Sequence, residues 1–151
     1  MTTTTTKSKR LEIPVPAFFV REGEEYLHNK IEWLSKEFDM TDQFFAQIIG
    51  IEAELFTQWR GHENQITQDV QDALQEFWRV FLRVVSFYNS DLEITRYTLD
   101  FIIPSRSEEQ KSRFAPPWTG TSLRTYLLEN GTKGVEGVNY WISDIKFGRD
   151  Y

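Results

Sequence analysis

Cysteine is missing from all 151 residues, so disulfides, thiolate nucleophiles and cysteine-held metal centres are excluded, and the absence fits a cytoplasmic protein. Histidine occurs only twice, as His28 and His62, with no zinc-ligand spacing around either. Each reads as a surface or capping residue. No glycine-rich phosphate loop is present. Long apolar runs are missing too: no stretch approaches the roughly 20 residues of a membrane span. The start, Met1 to Thr6 followed by Lys7, Ser8, Lys9 and Arg10, lacks the apolar core of a signal peptide. A basic excess is also lacking. The formal net charge is −6, which for the whole chain disfavours non-specific attraction to phosphate. The carboxylates at Glu22, Glu24 and Glu25 read as a solvated face. No catalytic residue, cofactor or metal is expected, and the chain does not read as an enzyme.

Aromatic residues are plentiful instead. Five Trp, six Tyr and twelve Phe give a large apolar area for each residue ordered, in a chain long enough for one domain or two small ones.

The most informative stretch is Thr41 to Gly61. Thr41 is suited to accept from the free amides of a first helical turn, Asp42 favours the positive helix end, and Phe45, Ile48 and Ile49 share one face. Gly50 reaches positive φ without strain and ends that helix. Ile51 tucks under the turn, and a second helix is predicted from Glu52 to Arg60 with Leu55, Phe56 and Trp59 inward. Ala46 falls where the two helices cross. The spacing of Ala46, Gly50, Ile51, Phe56 and Trp59 resembles the helix-turn-helix of the Xre and lambda-repressor family. Phe56 stands where Ile or Val is usual, and Glu52 where Ser is usual. The same residues also fit a plain helical hairpin with glycine between its halves.

Around this stretch the chain divides into four segments. Residues 1–20 form a basic arm followed by an extended strap, in which Ile13, Pro14, Val15 and Pro16 must be extended and Phe18, Phe19 and Val20 are apolar. Two readings of the arm stand open, a solvated tail or a basic arm resting on phosphates or in a minor groove. The strap lies across the helices or pairs with another subunit. Residues 21–66 hold the helix-turn-helix, preceded by a helix over 23–38 whose Leu27, Ile31, Leu34 and Phe38 share a face. Residues 67–103 begin with a long helix to Tyr88, apolar on most sides through Val70, Leu74, Phe77, Trp78, Phe81, Leu82, Val84, Val85 and Phe87. A helix of that kind is central to a core or shared between subunits. A further helix follows through Leu92, Thr95, Leu99 and Ile102, and Pro104 ends it. In residues 104–151, a charged loop over 105–114 precedes a short helix over 122–129, stopped by Asn130 and Gly131. A last helix over 134–145 buries Val135, Val138, Trp141, Ile142 and Ile145. Nothing reads firmly as a strand, and the class is all-α.

The run Pro117, Trp118, Gly120, Leu123, Tyr126, Leu127 and Gly131, followed by Val138, is similar to the toxin-binding domain of the Xre/MbcA/ParS antitoxins. The proline usual after the turn's Ser or Thr is missing here. Both motifs stand in the family's order, over roughly residues 23–147. The resemblance implies an Xre-like helix-turn-helix bundle joined by a long helix to a small C-terminal helical domain. It implies an antitoxin of a type II toxin-antitoxin system that dimerises, represses its own operon and covers the active site of a partner toxin. For RES-type toxins that activity is NAD degradation by the partner. By position, Trp118, Tyr126, Tyr140, Trp141, Phe147 and Tyr151 are the candidates for toxin contact, aromatic side chains being the usual carriers of interface energy. For Trp118 and Trp141 a place in the core competes with that role.

Candidates for operator DNA are Lys7, Lys9 and Arg10 in the arm and Glu52, Thr57, Gln58 and Arg60 on the second helix. The charge around them opposes this role. Between residues 19 and 66, Arg21, Lys30, Lys36 and Arg60 face Glu22, Glu24, Glu25, Glu32, Glu37, Asp39, Asp42, Glu52, Glu54 and Glu63. Two alternatives to an antitoxin follow: a repressor acting chiefly on DNA, and a helix-turn-helix scaffold that binds only protein.

Overall fold

The computed structural model describes residues 16–104 and 115–148. Their regular elements are a 3-10 turn at Ala17–Phe19 and six α-helices. In chain order these are α1 (Glu24–Phe38), α2 (Asp42–Ile49), α3 (Ala53–Arg60), α4 (Gln68–Phe87), α5 (Leu92–Asp100) and α6 (Leu123–Gly148). The fold is all-α, as the periodicities predict. The basic arm, the loop over 105–114 and Tyr151 lie outside the described residues.

Local chemistry fixes the starts of four of the six helices and the end of α2. The Thr41 and Thr67 hydroxyls accept from the amides of Phe44 and Val70 at 3.0 and 3.3 Å, so α2 and α4 start where a side chain satisfies an amide that the helix cannot. Asp91 does the same for α5, accepting from Glu93 and Ile94 at 3.1 Å each. The Ser122 hydroxyl accepts from Thr125 at the start of α6. Gly50, with φ 81°, closes α2, and its amide and that of Ile51 both donate to the Ala46 carbonyl.

The long helix α4 is the axis of the core. Leu74, Phe77, Trp78, Val80, Phe81, Val84 and Val85 are all buried on it, and it packs against α1, α2, α5 and α6. Burying side chains of this size contributes about 1.5–3 kcal/mol each. The described end of the strap, residues 16–20, holds a 3-10 turn at Ala17–Phe19 in place of the expected extended chain and lies against α1 and α4. Phe19 is buried against Trp33 and Trp78, with ring centroids 4.9 and 5.1 Å away, and the Trp78 indole donates to the Phe19 carbonyl at 3.1 Å. Lys30 is wholly buried beneath it, donating to the Arg21 carbonyl and to Gln75. Burial without a carboxylate at bonding distance pulls its ammonium pKa below the ordinary lysine value, although Glu22 works the other way.

Two further sequence expectations require correction. Leu55 is 39% exposed, because Phe56 and Trp59, three apart, take the inner face of α3 and leave Leu55 at its edge. Ile102 is not part of α5: the helix stops at Asp100, Phe101 is extended, and Ile102 is exposed. The chain there leaves the helix to pair with the turn before α6, the Ile103 amide donating to Thr121 and the Gly120 amide to Ile103. The two helices expected after residue 121 are present as the two arms of α6, divided at Gly131 as expected. Only Gly131, at φ 61° and ψ −138°, leaves helical geometry, and the chain re-enters the helix at once.

One hydrophobic core contains side chains from every helix. Within it α2 is gripped between α3 and the kink of α6. A Cβ at Gly131 would lie 3.0 Å from the Ile48 carbonyl oxygen, and Gln47 donates to the Leu128 carbonyl at 3.0 Å.

Candidate functional site

Two surfaces hold the sequence candidates. The first is the outer side of α3, the helix expected to read DNA. Its polar side chains are tied to neighbouring parts of the same chain. Thr57 donates to Asp42 Oδ2 at 2.8 Å, and Arg60 Nη1 donates to Asp42 Oδ1 at 2.8 Å. The other guanidinium nitrogen of Arg60 bonds Glu32 on α1. Gln58 Oε1 accepts from Asn64 at 2.8 Å, in the turn that follows the helix. Glu52 sits at the exposed start of α3, where it caps without a side-chain hydrogen bond. Asp42 therefore has a role that sequence reading missed: besides starting α2, it holds two of the presumed reading residues on α3. No local pattern announces this, since Thr57 and Arg60 lie 15 and 18 residues away.

A bidentate arginine clip also ties α6 to the ends of α5 and α1. Arg124 of α6 spans Asp100 at 2.7 and 3.2 Å and donates to the Phe38 carbonyl at 3.0 Å and that of Asp39 at 3.3 Å. It stands over the Phe44 ring and floors an open groove bordered by Thr41, Gln43 and Gln47.

The second surface is the aromatic C-terminal region, and its candidates separate cleanly. Trp118 is 1% exposed, with its ring edge-on to Trp141 at 5.0 Å. It is a core residue and offers no surface to a partner. Tyr126 reaches back from the first arm of α6 onto the second, where Gly134 and Gly137 leave room for it. A Cβ at Gly137 would fall 2.5 Å from its hydroxyl oxygen. Burial pushes that hydroxyl's pKa up. Trp141 is half-buried between Trp118 and Phe87. Arg83 of α4 bonds Asn139 and donates to Ser143 at 3.0 Å, which holds the second arm down. Tyr140 differs from all of these. It is 73% exposed, beside a shallow depression of about 480 Å³ bordered by Trp141, Ser143 and Asp144. Phe147 lies on the α6 backbone, but its side chain falls outside the described residues, as do Lys7, Lys9, Arg10 and Tyr151.

A further exposed apolar face was partly legible. Ile94 and Tyr97 stand on α5 and Phe101 just beyond it, three and four apart along the chain, and the Tyr97 and Phe101 rings lie 5.4 Å apart. That spacing is a helical stripe, but only the opposite stripe through Leu92, Thr95 and Leu99 was singled out. Among the described residues no helix is long and apolar enough to cross a membrane. No protein-family model matches this sequence, and no curated protein matches it.

Proposed function

We propose that this chain is an antitoxin-like interaction protein: a cytoplasmic homodimer that binds and neutralises a partner protein toxin through the second arm of α6, with no reaction of its own. The observation that carries the reading is the contrast within the C-terminal aromatics. Trp118, Tyr126 and Trp141 brace the kinked helix, while Tyr140 projects from it beside an open depression. A rigid aromatic on a braced helix binds at low entropic cost. The residues that resemble the toxin-binding domain of the Xre/MbcA/ParS antitoxins lie on this element and on the turn before it. A RES-type, NAD-degrading toxin is the partner the resemblance suggests.

Co-expression with the product of the adjacent gene tests the proposal. The expected result is a stoichiometric complex and relief of that product's toxicity, both lost in Tyr140→Asp while the helical circular dichroism is unchanged. Full neutralisation by Tyr140→Asp, or no complex with the adjacent product, overturns it.

One observation favours a second reading, a helix-turn-helix scaffold that does not bind DNA. Thr57 and Arg60 are engaged by Asp42, and Glu52 and Glu54 occupy the start of α3. A carboxylate about 7 Å from a phosphate costs on the order of 0.6 kcal/mol even at water's dielectric. Titration with the gene's own promoter at low salt is expected to give no shift. A shift abolished by Arg60→Ala would restore autoregulation by operator binding.

A further inference from the structure

The only two histidines of the chain meet in space. His28, in the middle of α1, is sandwiched: one ring face lies on the Trp59 indole with centroids 3.9 Å apart and planes at 23°, the other on His62 at 4.2 Å and 28°. Trp59 is wholly buried on α3, and its indole donates to Glu24 one turn before His28 at 2.8 Å. His62 follows directly on the end of α3 with φ 63°, in the left-handed region that a residue with a Cβ seldom occupies. Its amide donates to the Trp59 carbonyl at 2.9 Å, and the Glu63 amide donates to that of Gln58 at 2.8 Å. Three stacked rings thus join α1, α3 and the turn leading to α4.

We propose that this pair is an acid-sensitive latch that fastens α3 and its following turn to α1. Neutral imidazoles stack face to face without charge cost, whereas two imidazolium rings 4.2 Å apart repel each other. The groups that act on His28 come from each element around it. From α1, Glu24 favours the protonated ring and Glu25 lines the same cleft. From α3, Arg60 opposes protonation, and so does His62 from the turn. Burial is the largest influence, followed by His62. Together they outweigh Glu24 and hold the His28 pKa below its ordinary 6.5. A folded-state pKa below the unfolded one means that the unfolded chain takes up the proton first. The latch contributes its full stability above about pH 6.5, and that stability is lost as pH falls through the lower folded-state value.

Imidazole and indole resonances of the full chain, followed by NMR from about pH 8 to about pH 5, test the latch. The wild type is expected to show a His28 titration with a midpoint below 6.5, and the Trp59 indole proton moving with it. In His62→Asn, which keeps a residue tolerant of positive φ, the His28 midpoint should rise toward its ordinary value, because the ring that opposes its protonation is gone. The loss of urea midpoint on acidification should shrink in parallel. His62→Gly relaxes the turn and should give the same two results, which guards against a folding defect in the first variant. A His28 titration that neither variant alters, or a Trp59 indole indifferent to pH, overturns the proposal.

Discussion

At Gly50 the backbone turns in open space: φ is 81°, and a Cβ added there would meet nothing within 4 Å. At Gly131 the turn is made against the protein itself. With φ 61° and ψ −138° the residue is outside the compact left-handed well, and its Cβ would stand 3.0 Å from the Ile48 carbonyl oxygen. Both glycines separate helical segments and both are readable in the sequence, yet only the second is also a packing contact. The difference shows how α2 is held. Its C-terminal end carries a free turn toward α3 on one side and is pressed by the kink of α6 on the other.

Between the two glycines, the larger effect is expected at the crowded one. Gly131→Ala adds strain of about 1–3 kcal/mol and a backbone clash that α2 or α6 must shift to relieve. A destabilisation of about 3 kcal/mol in urea unfolding is expected, against about 1 kcal/mol for Gly50→Ala, where only the conformational penalty applies. Equal losses at the two positions would break the comparison.

Two arginine clips, Arg60 onto the start of α2 and Arg124 onto the ends of α1 and α5, extend the comparison at smaller magnitude. Arg124→Ala is expected to cost about 2 kcal/mol, because the Phe38 carbonyl at the end of α1 loses a charged donor as well as the Asp100 pairing. Arg60→Ala should cost about 1 kcal/mol, since it removes pairings with Glu32 and Asp42 that water reaches but, unlike Arg124→Ala, leaves no helix-end carbonyl without its charged donor. The same urea titrations measure both. A larger loss for Arg60 would place the mechanical centre of the molecule on α3.

What was legible in the sequence was local. Thr41 is legible as a helix start because capping links a side chain to an amide three residues on. Gly50 and Gly131 were read as stops because glycine alone is at ease there. The apolar stripes of α1 and α4 follow from a period of 3.6 residues. Long-range pairings were not legible. Nothing in the order of residues brings Asp42 to Thr57 and Arg60, His28 between Trp59 and His62, or Gly131 onto Ile48. Each depends on where whole helices cross. The candidate site suffered from the same limit. A list of aromatics chosen by position contained both the residues that brace α6 and the one that projects from it, and only burial separates Trp118 from Tyr140.

That separation supplies the smallest expected effect on stability. Tyr140→Ala removes a side chain that is 73% exposed, so its loss should change the urea midpoint by less than the equivalent of about 0.5 kcal/mol. Trp118→Ala, at 1% exposure and packed on Trp141, should cost about 3–5 kcal/mol by leaving a cavity beneath the kinked helix. If α6 is the binding element, affinity for the partner should follow the opposite order for surface reasons. Tyr140→Ala should weaken binding at least tenfold in a folded protein, while the conservative Trp118→Phe should leave it nearly unchanged once the loss of stability is allowed for. Calorimetric titration of both variants against the same partner measures the two orders together. Binding that tracks stability in both would mean that Tyr140 is an ordinary surface residue and that the partner docks elsewhere on the helical body.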